Sequence, residues 1–166
     1  ARAERDGKPG AMLYIDLDNF KAINDNCGHD VGDSVLREIS DILMSHSRSY
    51  DLVARVGGDE FAVWLNDLDP ESAARRADEI LEALSHLSDR SGDVAKPLGA
   101  SIGIAELDPA SGESLREFLV RADAAMYVAK KSGKNGWAVS TKRGEEAVGH
   151  TPSAKDRDSR DGEADR

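Results

Sequence analysis

Two apolar runs separated by a glycine pair constrain the fold of this chain more than any other feature. Residues 55–65 read RVGGDEFAVWL, with Gly57 and Gly58 at the break between the runs. Glycine pairs in this position are typical of hairpin turns, because glycine tolerates positive φ angles. The flanking runs, DLVARV and EFAVWL, are apolar on both faces, which predicts two strands in the centre of a sheet.

The rest of the apolar pattern alternates between strands and helices. AMLYIDL, KPLGASIGIAEL and WAVST read as strands, the last of them a short edge strand. VGDSVLREISDILMSHS, DPESAARRADEILEALSHL and SLREFLVRADAAMYVAKKSG carry apolar residues at helical spacing. Asp69 is the predicted N-cap of the second of these helices. The third has a predicted capping box of Ser114 and Glu117. Clustered strands with helices between them predict an α+β fold, in which helices flank a central, mostly antiparallel sheet.

The length of the chain suits a single domain. Of the 166 residues, we assign 1–141 to this domain. Residues 142–166 are charged, contain almost no large apolar residue and show no periodicity, so they are predicted to form a disordered tail. The single cysteine, Cys27, cannot form an internal disulfide, which is consistent with a reducing compartment.

The charge balance excludes some partners and leaves others open. A net charge of −10, from 32 acidic and 22 basic residues, argues against nucleic acid as a partner, because such binding needs a basic patch. A nucleotide substrate is not excluded, since magnesium can mediate between carboxylates and phosphates. No apolar run approaches the roughly 20 residues that a membrane-spanning helix needs.

Acidic side chains lie where the first strand and the hairpin turn end. Asp16 closes an apolar strand, and Asp59 and Glu60 follow the two glycines. If the first strand lies beside the hairpin, Asp16 and Asp59 converge in an oxygen-rich site suited to magnesium. Taken singly, Asp16 and Asp18 could each cap the next helix instead, and for Asp18 capping is the preferred interpretation.

Four motifs, in the same order as in a known family, extend along most of the chain. GGDEF stands at residues 57–61, SIGIA at 101–105 and RADAAMYVAKKSGKN at 121–135. An earlier pattern, D-x-D-x-F-K-x-x-N-D-x-x-G-H-D-x-G-D-x-x-L, begins at Asp16 and ends at Leu36. Over residues 11–135 the chain therefore resembles a GGDEF domain of the diguanylate cyclase family. This resemblance implies a fold similar to the palm of nucleotidyl cyclases and polymerases, with a ferredoxin-like core.

The resemblance also implies an enzyme, a nucleotidyltransferase that joins two GTP molecules into cyclic di-GMP and releases two pyrophosphates. A 3′-hydroxyl would attack an α-phosphate in line, with the help of two magnesium or manganese ions per GTP. By position, Asp16 and Asp59 would bind metal together with the carbonyl group of Leu17. Asp59 would also help to deprotonate the hydroxyl. Glu60 would be a second catalytic acid close to the metals.

The family's guanine contacts match Asn24 and Asp33. An aspartate can accept hydrogen bonds from both N1–H and the N2 amine of guanine, whereas adenine offers neither donor there. From the residues alone, Asp33 could instead cap a helix that begins near Ser34. Phe20 and Lys21, together with the two turn glycines, would shape the nucleotide pocket.

Two further pairs of residues match functional positions of the family. Lys130 and Lys134 match its phosphate-binding positions, although without the family they would be cations that favour a helix dipole. Arg48 and Asp51 match its inhibitory R-x-x-D site, where the product cyclic di-GMP binds. Arginine suits this site because its planar guanidinium pairs with phosphate and stacks on guanine. The alternative for Arg48 and Asp51 is an exposed local ion pair of little energetic weight.

The chain departs from the family pattern at its start. GGDEF domains begin with a helix carrying D-x-L-T-x-L-x-N-R, which has no counterpart here, so we expect the chain to be part of a longer protein. Because one domain holds one GTP, the resemblance implies a second GGDEF domain in a homodimer. A sensory domain or a membrane segment upstream would bring the two copies together. The expected location is cytoplasmic, either free or as the cytoplasmic part of a membrane-anchored protein.

Two other functions compete with an active cyclase. The first is a receptor domain that binds GTP or cyclic di-GMP without turnover and regulates a partner. The intact acidic signature favours the enzyme over this receptor. The second is an unrelated α+β domain whose acidic residues are only polar turns.

Overall fold

A computed structural model describes residues 9–107, 109–140 and 146–150, the last five by their backbone alone. Five strands and four α-helices follow one another in the order that the sequence predicts, and a sixth strand, which the sequence does not predict, comes last among the described residues. The strands are β1 (Gly10–Asp18), β2 (Leu52–Arg55), β3 (Glu60–Asn66), β4 (Gly99–Leu107), β5 (Gly136–Ser140) and β6 (Glu146–His150). The helices are α1 (Phe20–Cys27), α2 (His29–Ser45), α3 (Pro70–Ser85) and α4 (Leu115–Lys131). Short 3-10 segments lie at Ser88–Ser91 and Pro109–Ser111.

All six strands belong to one sheet in the order β2-β3-β1-β4-β5-β6. Only the β4–β5 pair is parallel among these strands, and the other neighbours are antiparallel. The predicted α+β fold with a mostly antiparallel sheet is therefore confirmed. β1 lies in the middle, between β3 and β4, as a strand that is buried on both faces must.

The two faces of the sheet carry cores of different size. Residues at odd positions of β1, such as Leu13 and Ile15, pack with α1, α2 and α3 in the larger core. Residues at even positions, such as Met12, lie on the opposite face with Phe118 and Ala122 of α4. Because side chains alternate along a strand, Asp16 and Asp18 lie on the α4 face of the sheet.

Helix ends follow the predicted capping chemistry. The Asp69 side chain accepts a hydrogen bond from the Ser72 backbone N–H at 2.8 Å, so it caps α3. Ser114 and Glu117 form the capping box of α4, with both reciprocal bonds in place. Among the described residues, no helix is both long enough and apolar enough to cross a membrane.

Only β3 of the hairpin lies inside the sheet, whereas the sequence-based expectation puts both hairpin strands in its centre. β2 is the outer strand of the described sheet, and the Leu52 side chain is 63% exposed. β3 alternates between buried and half-buried residues, so only one of its faces is fully covered. A short apolar run reads the same at an edge as in the centre, and only the pairing partners decide between the two.

The predicted disordered tail is wrong for Glu146–His150, which pairs with β5 as an antiparallel strand. β5 is consequently covered on both sides, whereas the sequence predicts an edge strand there. Strand pairing satisfies the main-chain N–H and C=O groups of β5 and needs no large apolar side chain, so composition does not reveal it. The rest of the tail, residues 142–145 and 151–166, lies outside the described residues.

Candidate functional site

The candidate site lies where β1 and β3 end beside each other. Asp16 and Glu60 are direct partners in the antiparallel register. The Leu17 backbone N–H donates to the carbonyl oxygen of Asp59 at 3.0 Å, which places Asp59 one step beyond that pair. The structure thus brings together the acids that the sequence predicts to converge, on the same end of two central neighbouring strands.

Lys130, on α4, faces this acidic end of the sheet. Its Nζ lies 2.7 Å from Oδ1 of Asp16. Burial alone would lower the pKa of Lys130, but the contact with Asp16 and the charges of Asp18 and Asp59 outweigh it and raise that pKa. Lys130 is therefore charged at neutral pH and partly neutralises the cluster.

The carboxyl group of Asp16 is under-compensated. Its pKa is raised, first by burial, and then by the charges of Asp59 and Asp18, against the lowering effect of Lys130. Its buried Oδ1 has an ion-pair contact but no partner in hydrogen-bond geometry among the described residues. Burying an ionised carboxylate in this way is costly unless a further cation or donor compensates it.

These residues fit a divalent cation through hard oxygen donors. The donors are the carboxylates of Asp16 and Asp59 and the backbone at Leu17. Within the described part of the chain, no three His, Cys, Asp or Glu side chains are arranged to hold a metal ion. A metal here would therefore depend on two carboxylates plus backbone, water or substrate oxygens, which is typical of magnesium.

The first glycine of the turn between β2 and β3 lies against the Glu60 side chain and does not have a positive φ angle. A Cβ on Gly57 would lie 2.5 Å from Oε2 of Glu60, because that carboxylate folds back over the turn. Gly58 has no heavy atom within 4 Å of its Cβ position, so this side of the turn is open. Neither glycine is among the residues with positive φ, so the φ argument made from the sequence is wrong here.

Arg55 fixes the turn from the β2 side. Its guanidinium donates to the carbonyl oxygens of Gly57 at 3.1 Å and Gly58 at 2.8 Å. Arg55 also lines an open cleft of about 200 Å³ together with Asp33, Leu36, Arg37 and Ser40. The sequence-based interpretation missed Arg55, although a cation two residues before a glycine pair is a signal that could have found it.

The predicted guanine-binding residues lie on the two helices that follow β1. Asn24 of α1 packs against Gly32 of α2, where any Cβ would collide with the Asn24 side-chain oxygen. The ring of Phe20 lies against the same glycine, 3.4 Å from its Cβ position. Asp33 is exposed in the second turn of α2, so it is not the cap of a helix beginning near Ser34.

The other residues predicted to bind the nucleotide, Lys21 and Lys134, make few contacts or are exposed. Lys21 is exposed in the first turn of α1. Lys134 follows α4, and its Nζ donates to Oδ1 of Asn19 at 3.2 Å. Asn19 directly follows β1, so Lys134 lies at the same end of the sheet as Asp16.

Arg48 and Asp51 lie in the connection between α2 and β2. Asp51 is fixed by two backbone donors, Arg48 N–H at 2.8 Å and Asn66 N–H at 2.9 Å. The Arg48 guanidinium donates to the Tyr50 hydroxyl at 3.0 Å and lies 5.8 Å from the centroid of that ring. The pair is thus a structured turn with an exposed guanidinium at the start of β2, and the candidate site lies past the other end of that strand.

Asp18 does not cap a helix, contrary to the preferred interpretation of the sequence. The N-cap of α1 is Asn19, and no side chain caps that helix. Asp18 is instead buried, and it accepts hydrogen bonds from the Ser101 hydroxyl and from the Asn135 backbone N–H. These partners are 83 and 117 residues away in the sequence, so no local pattern could have revealed them.

Comparisons with known proteins agree with the resemblance seen in the motifs. The sequence matches the family described as "Diguanylate cyclase, GGDEF domain" over residues 1–136. It is 40% identical over 136 residues to the bifunctional diguanylate cyclase/cyclic di-GMP phosphodiesterase MucR of Pseudomonas aeruginosa. That match covers 82% of this chain and 20% of MucR, so the chain spans about a fifth of that relative's length.

Solved structures show the same fold. The GGDEF domain of DgcB from Caulobacter crescentus, in complex with c-di-GMP, superposes with a TM-score of 0.71 at 34% identity, covering 81% of this chain and 79% of that one. The GGDEF domain of YfiN (TpbB) from Pseudomonas aeruginosa gives a TM-score of 0.73 at 39% identity, covering 84% and 89%. Sequence and fold agree, and the chain belongs to the GGDEF-domain family of diguanylate cyclases.

Proposed function

We propose that this chain is the cyclase domain of a diguanylate cyclase, which condenses two GTP molecules into cyclic di-GMP and two pyrophosphates. One observation carries the proposal. Asp16 and Glu60 pair across β1 and β3, with Asp59 adjacent and Lys130 at 2.7 Å. A cluster of charged side chains at the end of otherwise apolar strands suits a charged substrate.

The reaction forms one phosphodiester bond in each of two reciprocal attacks. The 3′-hydroxyl oxygen of one GTP bonds to the α-phosphorus of the other, and the bond from that phosphorus to the bridging oxygen breaks. Pyrophosphate leaves with the electron pair, and the hydroxyl proton passes to Asp59 or to water. The second attack, with the roles of the two nucleotides exchanged, closes the ring.

The chain's own residues would bind and orient the nucleotide. Asn24 and Asp33 would hold the guanine base, beside the wall formed by Phe20 and Gly32. The open side of Gly58 leaves room for a phosphate close to the backbone. Lys130 and Lys134 would neutralise the negative charge of the triphosphate.

Asp16, Asp59 and the Leu17 carbonyl would hold magnesium or manganese, two ions per GTP, with Glu60 as a further acid close to them. When bound, the ions would stabilise the attacking and leaving oxygens and lower the pKa of the 3′-hydroxyl. The adjacency of Asp16, Asp59 and Glu60 at the ends of β1 and β3 supports this assignment. A homodimer is part of the proposal, because one domain supplies only one of the two nucleotides.

Product inhibition at Arg48 and Asp51 completes the proposed function. The support is geometric, because Asp51 is held by two backbone donors while the Arg48 guanidinium is exposed at the protein surface. Such an arginine can pair with a phosphate and stack on guanine. Arg48→Ala should weaken inhibition by cyclic di-GMP and leave turnover at low product intact, whereas Arg116→Ala, on the exposed face of α4, should change neither.

The test of the cyclase is direct. The protein is incubated with GTP and magnesium, and cyclic di-GMP and pyrophosphate are quantified by chromatography. Turnover should disappear in Asp59→Ala and persist in the control Asp41→Ala, an exposed position of α2. Tight binding of cyclic di-GMP without any turnover would contradict the enzyme and indicate the receptor function. Binding of neither nucleotide would contradict both.

A further inference from the structure

Asp18 is a buried acid that the proposed function leaves without a role. It is 3% exposed and lies at the end of β1, two residues after Asp16. The Ser101 hydroxyl lies 2.9 Å from its Oδ1 and 3.1 Å from its Oδ2. The Asn135 backbone N–H donates to Oδ2 at 2.9 Å. Both carboxylate oxygens are therefore engaged by uncharged protein donors.

The second donor belongs to a turn with an unfavourable backbone. Lys134 and Asn135 have φ angles of 65° and 44°, so two consecutive non-glycine residues are left-handed. The left-handed region is uncommon for lysine, although asparagine adopts it more readily, so contacts that hold this backbone stabilise the turn. The Asn135 side chain lies on Gly99, whose Cβ position is 3.0 Å from Asn135 Oδ1. Gly99 is the register partner of Asp18 on β4, so both contacts hold Asn135 at one point of the sheet.

Asn19 holds the side chain of the same turn. Its Oδ1 accepts from Lys134 Nζ at 3.2 Å, and its Nδ2 donates to the Pro97 carbonyl at 2.8 Å. Asn19 is itself left-handed, with a φ angle of 63°. Consecutive residues at the end of β1, Asp18 and Asn19, thus fix the backbone and the ammonium group of one turn.

We propose that Asp18 is a positioning residue, whose buried carboxylate sets the left-handed turn at Lys134 and Asn135 and so keeps the Lys134 ammonium beside the triphosphate site. Asp18 does this through the Asn135 N–H, while Ser101 holds its carboxylate in place. It contacts neither nucleotide nor metal. This inference depends on the proposed function for its triphosphate, but its geometric part can be tested without any nucleotide.

The first experiment measures hydrogen exchange at the Asn135 amide in the nucleotide-free protein. Asp18→Ala should accelerate this exchange at least about tenfold relative to the strand β1 amides, since the acceptor is removed. Ser101→Ala should cause a smaller acceleration, because it loosens the carboxylate without deleting it. If Asp18→Ala fails to fold, Ser101→Ala decides the result. An unchanged Asn135 amide in the folded variant overturns the inference, whatever the nucleotide results.

The second experiment separates positioning from direct contact by calorimetric binding of GTP and GMP. Asp18→Ala should weaken the binding of GTP more than the binding of GMP, because Lys134 acts on the phosphates that GMP lacks. In a Lys134→Ala background the same change should cost no further GTP affinity. Asp18→Asn should restore most of the affinity, since an amide can still accept from Asn135 and donate to the Ser101 oxygen.

The matched control is Lys131→Ala, which removes a neighbouring lysine whose Nζ lies 5.2 Å from the Tyr127 ring. GTP affinity should not change in this variant.

Equal losses of affinity for GTP and GMP, or losses that are fully additive with that of Lys134→Ala, would mean that Asp18 acts independently of Lys134 and would overturn the inference. If Asp18→Ala accelerates exchange of the Asn135 amide but the parent protein binds no GTP, the proposed function is contradicted, while the structural role of Asp18 in holding the turn is supported. Normal GTP binding with unchanged exchange would contradict the inference alone.

Discussion

At the scale of single residues, the same residue type has different roles in neighbouring environments. The buried Oδ1 of Asp16 contacts only the Lys130 ammonium among the described residues, whereas both oxygens of Asp18 accept hydrogen bonds from uncharged protein donors. The difference lies in what faces each carboxylate and not in its position in the motif. A carboxylate that the protein leaves under-compensated is the one suited to a cation.

The pKa of Asp16 tests this environment. Asp59→Asn should lower the pKa of Asp16 because it removes a nearby like charge, and Lys130→Met should raise it because it removes the ion-pair partner. Carbon-13 titration of the Asp16 carboxyl by NMR measures both changes. A pKa that is insensitive to Asp59 would show that the two acids do not converge.

The raised pKa of Asp16 also makes the stability of the fold depend on pH. Between the ordinary pKa of an aspartate and the raised value, folded Asp16 keeps a proton that the unfolded chain has lost. The free energy of unfolding that this group contributes therefore falls as the pH rises through that window. In Asp59→Asn the window narrows, so stability measured by denaturant should fall less steeply with pH. An unaltered slope would contradict the assigned repulsion.

Guanine selection can be tested at Asp33. Asp33→Asn removes an acceptor for N1–H and the N2 amine, so GTP affinity should fall roughly ten- to a hundredfold. The new amide can donate to the O2 carbonyl of xanthine, so XTP should bind better than it does to the parent protein. The measurement is competitive binding of the two nucleotides. Equal losses for both would mean that Asp33 does not contact the base.

At the scale of elements, α4 positions the site because it approaches β4 without any intervening side chain. A Cβ on Gly103 would collide with the Ala122 carbonyl oxygen and the Met126 backbone of α4. The helix therefore lies directly on the strand at this glycine. Lys130, one turn beyond Met126, depends on this close packing for its contact with Asp16.

Gly103→Ala should consequently displace α4. We expect a loss of about 1–3 kcal/mol in the free energy of unfolding, and a lower affinity for GTP because Lys130 moves with the helix. Ala124→Val, at an exposed position of the same helix, is the control and should change stability by only about 0.5 kcal/mol. Chemical denaturation measures both variants. Wild-type stability in Gly103→Ala would contradict the tight approach.

A half-buried ion pair fixes the other end of α4. The Arg121 guanidinium contacts Glu113 at 2.8 and 3.0 Å and donates to the carbonyl oxygens of Glu106 and Ser140. Arg121→Met leaves the half-buried Glu113 charge without its partner and should cost about 1–3 kcal/mol of stability. Adding Glu113→Leu should recover part of that loss, because the uncompensated charge is removed. Thermal and denaturant unfolding measure the recovery. A double variant that is less stable than Arg121→Met would contradict it.

The sequence predicts these elements where the interactions are local. The caps at Asp69 and Ser114 and the apolar face of α3 depend on residues three or four apart, and all of them are confirmed. The edge position of β2, the pairing of β6 and the partners of Asp18 depend on distant residues. No spacing rule contains that information, so the sequence-based reading was wrong at each of these places.

At the scale of the whole molecule, the described fold gathers three groups of side chains at one end of the sheet. They are the acids Asp16, Asp59 and Glu60, the candidate guanine-binding pair Asn24 and Asp33, and the lysines Lys130 and Lys134. The family motifs predict this gathering, because they are the parts of the sequence that converge there. The roles of these residues are still proposals, and the proposed function requires a second copy of the domain. A single domain offers one GTP, and the reciprocal attack needs two.

Turnover per molecule should therefore rise with protein concentration. Joining two copies through a flexible linker should raise turnover at low concentration and remove the concentration dependence, because the second domain is then present at roughly millimolar effective concentration. Initial rates of cyclic di-GMP formation across a dilution series measure this. A rate per molecule that is independent of dilution in the unlinked protein, with no dimer seen by light scattering, would contradict the dimer.

The proposed function depends on carboxylates at the ends of β1 and β3 that bind divalent cations, which in turn bind a purine triphosphate. The most direct measurement is a crystal structure with manganese and 3′-deoxy-GTP, which cannot cyclise, in which anomalous scattering locates the metal. The account predicts manganese in contact with Asp16, Asp59 and the phosphates, with guanine at Asn24 and Asp33. Nucleotide bound elsewhere, or manganese held by phosphates alone while the two aspartates point away, would contradict it.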